Sequence, residues 1–497
     1  FPETLHTLPS LDLPTNGEDA GIQDLYQQHP ERFAITKPYF IGQNQLDLSQ
    51  PDPTRTFFSW NEVEGPLKRT PLYEAHVKLG ARLVPFAGWE MPVWYASALE
   101  EHRAVRERAG LFDLGHMGVF QVEGPYATEF LNAVTANYAA WLEDGESQYA
   151  YLLDPNGNVI DDIFVYRRAW NRYFVVVNAS NEDKDWDWLS GVNDGRYLID
   201  REIPARRPAP KVTLHNLKEE RGVMDIALQG PLSEAILIKI LEKKEQILVK
   251  SLNRTGFCEV DIEDHQFLIA RTGYTGEEIG YEIYSAPPAA VWMWEKLIEV
   301  GIPLGLLPCG LASRDSTRTE AGLPLYGHEL AGHYDVNPYE AGFGAYVKLH
   351  KPFFIGRDAC VTAYTKPERE IVRFQVNAVG TRPIHSGAAV IDRNGLYLGR
   401  VTSCVSLGET QVGLALLEKL DVTPGTPITL LNPPRSEEAK TVTALEAGDR
   451  VAIPIPGTII SRFPEKEALP KAVVEYKESI HHEGHEEHEG VEEQSAS

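Results

Sequence analysis

The chain has 497 residues, of which 43% are hydrophobic, enough to bury a large core in two or three domains. Its 72 acidic residues outnumber its 47 Lys and Arg residues, so the formal net charge is −25. This balance disfavours a function that depends on binding nucleic acid or an anionic membrane. The four cysteines lie far apart and show no CxxC spacing, which argues against a disulfide framework and against a zinc site.

The sequence also lacks the signals of a membrane or secreted protein. No segment approaches the roughly 18 apolar residues of a membrane span, and the N-terminus does not have the basic-then-apolar order of a signal peptide. We therefore expect no membrane partner and a reducing compartment, which is the cytoplasm, or the mitochondrial matrix in a eukaryote.

The first part of the chain is predicted to change from an arm to a folded region. Residues 1–68 are acidic and rich in proline, which predicts an extended arm more than a domain. Ser97 and Glu100 have the spacing of a capping box, which predicts a helix over 98–109 that ends at Gly110.

Sheets and helices are predicted to alternate in the following region. Asn156-Gly157 predicts a hairpin with a type I′ turn, and a long amphipathic helix is expected to begin after Pro231, with another over 287–300. The β-rich segments are 118–122, 159–168 and 173–178.

The pattern changes again near residue 366. Short β-rich segments separated by Gly and Pro predict a β-barrel or sandwich over 366–463. Residues 464–497 are rich in Glu and His, and we interpret them as a solvated acidic tail without a specific metal site.

Two adjacent carboxylates interrupt the β-rich segment 159–168. Because side chains alternate between the faces of a strand, Asp161 and Asp162 are expected on opposite faces and not in one site. A buried Asp within a strand is costly, so at least one of the pair is expected to face a polar cavity or a cationic partner. An edge-strand or turn position is the alternative.

Two later segments carry further candidates. The segment 271–284 predicts a glycine-rich loop that presents Tyr274, followed by a strand from which Glu282 can accept two parallel N–H bonds from a flat heterocycle. Arg314 and Arg318 lie one helical turn apart and can bind a carboxylate-bearing ligand or form surface salt bridges.

Histidines and nucleotide motifs add little to these candidates. His116 and His328 can titrate near neutral pH, although lone histidines are more often structural. The sequence has neither GxGxxG nor GxxxxGK[ST], so it does not signal a Rossmann or P-loop nucleotide site.

Ordered motifs across residues 70–463 suggest a family. They include FDLGHMG (112–118), NGNVIDDIFVY (156–166), RTGYTG (271–276), RDSTRTEAGLPLYGHEL (314–330) and GRVTSCVSLG (399–408). In these motifs the chain resembles the T-protein, or aminomethyltransferase, family of the glycine cleavage system. The loop GEEIGYE, residues 276–282, is one residue longer than is common in that family.

The resemblance implies an α+β fold with a three-domain cloverleaf arrangement. It implies a folate-binding region in two parts, over 69–215 and 216–365, each with a mixed α/β sheet, and a C-terminal β-barrel over 366–463. It also implies transfer of the aminomethyl carbon from the lipoyl arm of H-protein to tetrahydrofolate, with release of ammonia and 5,10-methylenetetrahydrofolate and no metal.

The resemblance also implies roles for individual residues. Asp162 matches the catalytic aspartate, and a role for Asp161 stays open. Glu282 matches the acid that binds the pterin ring, and Arg314 matches an arginine that lines the folate site. The further cofactor-binding positions are Tyr149, Tyr166, Asn178 and Tyr274.

Two other functions remain as alternatives. One is a tetrahydrofolate-dependent demethylase that takes a methyl group from an O-, S- or N-methyl donor. The other is a non-catalytic folate-binding regulator. The aspartate at position 162 favours aminomethyl transfer, because loss of the thiol develops an iminium-like cation that a nearby anion stabilises.

Overall fold

The computed structural model describes residues 55–63, 65–365, 368–376, 380–418, 422–433 and 451–465, together with residues 470 and 476. The predicted arm and tail fall mainly outside these residues. None of the described helices is both long enough and apolar enough to span a membrane.

Helices and strands alternate along the described residues, and we number both in chain order. The helices are α1 Tyr73–Lys78, α2 Ala98–Glu107, α3 Ala127–Val134, α4 Glu182–Asp194, α5 Leu217–Arg221, α6 Ser233–Leu237, α7 Lys243–Ser251, α8 Pro287–Gly301, α9 Leu311–Glu320 and α10 Arg357–Thr365. The strands before residue 220 are β1 Arg82–Phe86, β2 Trp89–Trp94, β3 Ala109–Asp113, β4 Gly118–Glu123, β5 Ser147–Leu153, β6 Val159–Ala169, β7 Arg172–Val177 and β8 Thr213–Asn216. The later strands are β9 Met224–Gln229, β10 Phe257–Ile262, β11 His265–Ala270, β12 Gly280–Ser285, β13 Leu306–Cys309, β14 Glu370–Val376, β15 Ala389–Ile391, β16 Tyr397–Ser406, β17 Gln411–Leu417, β18 Pro427–Leu431 and β19 Ile455–Ile460.

The first sheet has five antiparallel strands in the order β5-β6-β7-β4-β8. The predicted β-rich segments form its strands β4, β6 and β7, so these predictions are confirmed. One face packs against α3 and α4 in a core that includes Phe130, Trp188 and Val175. Burial of this face stabilises the sheet at about 25 cal/mol per Å² of apolar surface.

The second sheet has six strands in the order β10-β11-β12-β9-β3-β13. All neighbours pair antiparallel except β3 and β13, which are parallel, with Leu306 opposite Ala109. Strand β3 precedes the first sheet in the chain but pairs only in the second. The segment between β3 and β4 therefore connects the two sheets.

The inner faces of the two sheets meet in a shared core. Val119 and Phe174 of the first sheet pack in one cluster with Leu268, Ala270 and Tyr284 of the second sheet. Strand alternation then directs every second side chain of β6 and β12 into the space between the sheets. This arrangement brings the segment with Asp162, on β6, close to the segment with Glu282, on β12.

The C-terminal β-rich region forms a closed barrel in the order β14-β17-β16-β15-β18-β19, with β14 pairing β19. The barrel prediction is therefore confirmed. The antiparallel first sheet and the mixed second sheet, each packed against helices, agree with the predicted α+β class. The boundaries 69–215, 216–365 and 366–463 stay predictions.

Glycine 110 does not end the helix as predicted. Helix α2 ends at Glu107, and Gly110 lies within β3. A Cβ atom there would lie 2.5 Å from Val105 Cγ2 and 2.7 Å from Cys309 Sγ. Glycine is therefore required by close packing, a constraint that local sequence does not reveal. The predicted cap is present, because the Ser97 side chain accepts from the Glu100 N–H.

The hairpin before β6 forms, but its predicted turn type is wrong. Five residues, 154–158, link β5 and β6, and of the Asn156-Gly157 pair only Gly157 has a positive φ, of 82°. The Asp154 carboxylate accepts from the N–H groups of Asn156 and Asn158 at 2.7 and 2.9 Å, which stabilises the longer turn.

The single long helix predicted after Pro231 is also wrong. The segment forms α6 and α7, separated by a short turn. Gln246 Nε2 donates to the carbonyls of Ile238 and Leu241 at 2.9 Å, so a side chain satisfies the backbone where the helix is interrupted. The helix predicted over 287–300 forms α8 and is confirmed.

Candidate active site

The two adjacent aspartates of β6 have different surroundings. Asp161 is fully buried, whereas Asp162 is half-buried and pairs across the sheet with Tyr151. Ile163 and Val165, which share a face with Asp161, lie in the core beneath the first sheet. The predicted alternation is therefore present, and Asp162 faces the space between the sheets with Phe164 and Tyr166.

The expectation that the two carboxylates cannot share a site is wrong. Asn178, directly after β7, donates from Nδ2 to Asp161 Oδ1 at 2.8 Å and to Asp162 Oδ1 at 2.9 Å. Its backbone N–H also donates to Asp161 Oδ2 at 2.9 Å. The side chains leave the strand in opposite directions, but an amide at the end of the neighbouring strand reaches both.

Asp162 has the electrostatic properties of a group that exchanges a proton near neutral pH. Burial and the nearby charge of Asp161 raise its pKa to about 7, against the opposing effect of hydrogen bonds from Tyr149 and Asn178. Tyr149 OH donates to Asp162 Oδ2 at 2.9 Å. Burial raises the pKa of Tyr149 well above its usual value, so the tyrosine remains a donor.

A second layer of polar residues lies behind the aspartate pair. Asn181 Nδ2 donates to Asp161 Oδ1, and the fully buried Asp185 also lies against Asp161. Burial and the Asp161 charge raise the pKa of Asp185 well above its usual value, because two adjoining carboxylates cannot both be ionised easily. The sequence analysis missed both residues. The only signal was their position in the polar segment NASNEDKD, residues 178–185.

Glu282 lies on β12, in the second sheet. As predicted, Tyr281 and Ile283 occupy the opposite face, where they belong to the core of that sheet. Three hydroxyl groups donate to the single oxygen Oε2. They belong to Thr272 at 2.6 Å, Tyr284 at 3.1 Å and Tyr166 at 3.3 Å. None of the described residues donates to Oε1, which remains an acceptor for a ligand.

Asp225 lies beside Glu282 and was not found from the sequence. It pairs across β9 and β12 with Tyr284, two residues from the Ala227–Glu282 pair and on the same face. Burial and the Glu282 charge raise its pKa well above the usual value. An isolated Asp in an apolar strand was the available signal.

The two arginines of α9 have different roles. Arg318 is 1% exposed, and it pairs with Glu329 and Asp315 at 2.6 Å and donates to Ser403 of β16 at 2.8 Å. It therefore joins α9 to the barrel. The Arg314 guanidinium lies 5.2 Å from the Tyr274 ring centroid and forms no ion pair with any described residue. Arg314 thus keeps its charge available for a ligand.

The predicted site residues lie within electrostatic reach of one another. Asp162 and Arg314 both influence the titration of Tyr274, which burial shifts to a higher pKa. Arg314 in turn acts on Asp225, beside Glu282. Together with Asn178, Tyr149 and Tyr166, described above, these contacts gather seven of the eight predicted residues around the space between the sheets. The eighth, Asp161, lies on the other face of β6 and is connected to the group through Asn178.

The prediction that His116 titrates near neutral pH is wrong. Burial lowers its pKa to about 3, helped by the charges of Arg314 and Lys218, so this histidine is neutral at physiological pH. His328 lies 3.5 Å from Ser403 through Nδ1, at the junction of α9 and the barrel. His116 is therefore not a group that exchanges a proton near neutral pH.

The residues fit a flat heterocycle rich in N–H groups. Glu282 Oε1 is a free carboxylate acceptor, and rings of Tyr166, Phe164 and Tyr149 lie between it and Asp162. Within the described ranges, no group of three or more His, Cys, Asp or Glu side chains is arranged to hold a metal ion. The fold and site define a class of protein that binds a flat heterocycle beside a carboxyl able to exchange a proton.

Comparisons with known proteins identify the family. The family profile described as the GCVT N-terminal domain matches residues 72–351. The aminomethyltransferase of Symbiobacterium thermophilum is 44% identical over 62% of this chain and 79% of its own length. That of Chloroherpeton thalassium is 42% identical over 68% of this chain and 86% of its own.

A solved structure agrees with these relatives. The glycine cleavage system aminomethyltransferase T from Bartonella henselae superposes with a TM-score of 0.64 at 31% identity, and the match covers 80% of this chain and 97% of that one. The chain belongs to the aminomethyltransferase family of the glycine cleavage system.

Proposed function

We propose that this protein transfers the aminomethyl carbon carried on the lipoyl arm of H-protein to tetrahydrofolate, with release of ammonia. Family membership supports this reaction. The observation that carries the proposal is the Asp162 carboxyl, with a pKa of about 7, in the same space as the free acceptor oxygen of Glu282. A cytoplasmic location is part of the proposal.

Tetrahydrofolate supplies the nucleophilic nitrogen that receives the carbon. Glu282 Oε1 is suited to accept N–H bonds from the pterin edge, because Thr272, Tyr284 and Tyr166 fix the carboxylate through Oε2. Arg314, stacked beside Tyr274, provides a positive charge for an anionic ligand.

Asp162 performs the electrostatic and proton-transfer work in this proposal. Its carboxylate stabilises the positive charge that develops on the aminomethyl carbon and nitrogen as the C–S bond breaks. It can then accept the proton that the attacking nitrogen loses, since a pKa near the working pH favours proton transfer in either direction. Tyr149 and Asn178 hold the carboxylate in position.

A two-substrate assay tests the proposal. Purified full-length protein is mixed with tetrahydrofolate and aminomethylated H-protein, and ammonia and methylenetetrahydrofolate are followed together. We expect both products only when both substrates are present. Asp162→Asn should fold and bind tetrahydrofolate, yet lose about 10²–10⁴-fold in kcat, the range for removal of a general acid–base group.

Other results would reject the proposal in different ways. Near-normal turnover by Asp162→Asn would remove the role assigned to this residue. Binding of tetrahydrofolate without ammonia release would indicate a different donor, such as a methylated substrate of a demethylase. Binding without turnover of any one-carbon donor would support a regulator.

A further inference from the structure

Arg106, in the last turn of α2, joins the loop between β11 and β12 to helix α9. Its Nη1 atom donates to the carbonyl of Thr275 at 2.8 Å and to Glu277 Oε1 at 2.6 Å, both in the loop. Its Nε atom donates to Glu320 Oε2 at 2.6 Å, and its Nη2 atom donates to the carbonyl of Thr317 at 2.8 Å, both on α9. One guanidinium on a third element therefore connects two elements that carry predicted site residues.

The β11–β12 loop and α9 pack closely beside this connection. Gly276 has a φ of 82°, and a Cβ atom there would lie 2.3 Å from the Cβ of Ala321, the residue after α9. The Tyr274 hydroxyl, in the same loop, donates to the carbonyl of Pro324. The Arg314 guanidinium of α9 lies 5.2 Å from the Tyr274 ring centroid. The position of the loop on the helix therefore sets the position of Tyr274 against Arg314.

The two acids that bind Arg106 would repel each other without it. Glu277 and Glu320 accept from the same guanidinium, and their side chains are only 16% and 26% exposed. Burial raises the pKa of Glu277, and the Glu320 charge acts in the same direction against the charge of Arg106. Like charges that are shielded from water repel strongly. Arg106 therefore bonds the loop to α9 and neutralises the acids that would separate them.

Helix α2 is attached to α9 independently of Arg106. His102 is 4% exposed, and its Nδ1 atom lies 2.8 Å from Ser316 Oγ. Glu101 is fully buried and accepts from the N–H of Gly310, the N-cap of α9, at 2.9 Å. These contacts make α2 a fixed support for α9, so loss of Arg106 should affect the loop more than the helix.

The β11–β12 loop also has contacts with its own sheet. Gln229 of β9 accepts from Thr275 Oγ1 at 2.9 Å and donates to the carbonyl of Thr272 at 3.0 Å. Loss of Arg106 should therefore shift the loop relative to α9 without unfolding it.

We infer that Arg106 is a positioning residue for the co-substrate, because it holds Tyr274 and Arg314 at their working separation. This inference rests on the proposed function, in which those two residues line the tetrahydrofolate site. Contacts that bind a substrate equally well before and during the reaction change KM more than kcat. Arg106 should therefore control the affinity for tetrahydrofolate and leave the chemistry at Asp162 unchanged.

Steady-state kinetics of the full-length protein, with tetrahydrofolate and aminomethylated H-protein, test the inference. Arg106→Gln should raise the KM for tetrahydrofolate about 10–100-fold, because a misplacement of about 1 Å can cost about 100-fold. The value of kcat at saturating tetrahydrofolate should change much less, and the pH profile of kcat should not move. Arg106→Lys keeps the charge without the planar fork, so it should recover part of the affinity.

Arg103→Gln is the matched control, because it removes the same charge from an exposed position of the same helix. It should keep the wild-type KM. The double variant Arg106→Gln/Glu277→Gln also removes the repulsion between the acids, so its KM should fall between the values of wild type and Arg106→Gln.

Hydrogen exchange adds a readout that does not depend on turnover. In Arg106→Gln the amides of residues 272–280 should exchange faster than in wild type, whereas those of β6 should be unchanged. If Arg106→Gln does not fold, Arg106→Lys carries the same two measurements.

Three outcomes would overturn the inference. The first is a wild-type KM for tetrahydrofolate in Arg106→Gln. The second is a fall in kcat as large as the fall in kcat/KM, with faster exchange in both sheets, which would indicate a general structural role. The third is a double variant with a KM no lower than that of Arg106→Gln. A wild type that does not convert tetrahydrofolate would reject the proposed function, and this inference with it.

Discussion

Asp162 and Glu282, one on each sheet, are held by different kinds of partner. Asp162 receives one hydroxyl and one amide, divided between its two oxygens, and lies near the charge of Asp161. Glu282 receives three hydroxyls, all on one oxygen. Each acid also has a second buried acid nearby, Asp185 beyond Asp161 in one case and Asp225 in the other.

In the proposed function, this difference separates a reactive carboxyl, Asp162, from a binding carboxyl, Glu282. Burial and the Asp161 charge raise the pKa of Asp162 to about 7 against the hydrogen bonds of its partners, so its proton can leave or return near neutral pH. The hydroxyls around Glu282 fix its orientation and leave one oxygen for a ligand. Substitutions at the two positions should therefore affect different kinetic parameters.

Glu282→Gln should have the largest effect on binding. The amide replaces one acceptor oxygen by a donor, and the loss of charge-assisted hydrogen bonds should raise the KM for tetrahydrofolate about 10–100-fold. The value of kcat at saturating tetrahydrofolate should change much less than in Asp162→Asn. Steady-state kinetics with both substrates measure the split. A fall in kcat as deep as that of Asp162→Asn would contradict the division of roles.

Two substitutions beside Asp162, Asp161→Asn and Tyr149→Phe, should shift the pH profile of kcat/KM in opposite directions. Asp161→Asn removes a negative charge, so the pKa of Asp162 falls and the rising limb of kcat/KM moves to lower pH. Tyr149→Phe removes a hydrogen bond to the carboxylate, so the limb moves to higher pH. Each shift should be about one pH unit, which corresponds to about 1.4 kcal/mol. Shifts in the same direction would show that another group controls the profile.

Asp185→Asn should have the smallest effect on the reaction, but it should change the pH dependence of stability. Because the pKa of Asp185 is raised in the folded state, its stabilising contribution is present at low pH and is lost as pH rises towards that pKa. The amide cannot ionise, so the variant should gain stability relative to wild type between pH 5 and pH 8. Urea unfolding at the two values measures this gain, and Asp187→Asn is a more exposed control on the same helix. A constant difference would indicate that Asp185 is ionised at both values.

Features that depend on local pattern were predictable from the sequence. The β-rich composition around Asp162 and the period of α8 identified the correct elements, because alternation and amphipathicity are visible over a few residues. Gly110 was misinterpreted because its small size serves a contact with Cys309, almost 200 positions away. Helix α6 ends at Leu237, and a later glutamine satisfies the carbonyl of Ile238 just beyond it, a contact that no periodicity records.

The same limit applies to the site. The resemblance supplied Asp162 and Glu282, and the structure brings them to one space. Neither pattern nor resemblance revealed Asp185 or Asp225, whose properties depend on burial and on neighbours from distant segments. Such properties arise from tertiary packing, so a linear motif does not carry them.

The pairing of β3 has a consequence for the order of folding during synthesis. All strands of the first sheet have been made by Asn216, whereas Ala109–Asp113 pairs with strands that end at Gln229 and Cys309. All five residues of β3 are buried in the finished protein. On the ribosome this largely apolar strand must wait for one partner that ends about 115 residues later and for a second that ends about 195 residues later. An unpaired apolar strand promotes aggregation. A chain released early, after the first sheet, would expose this strand and is expected to require a chaperone.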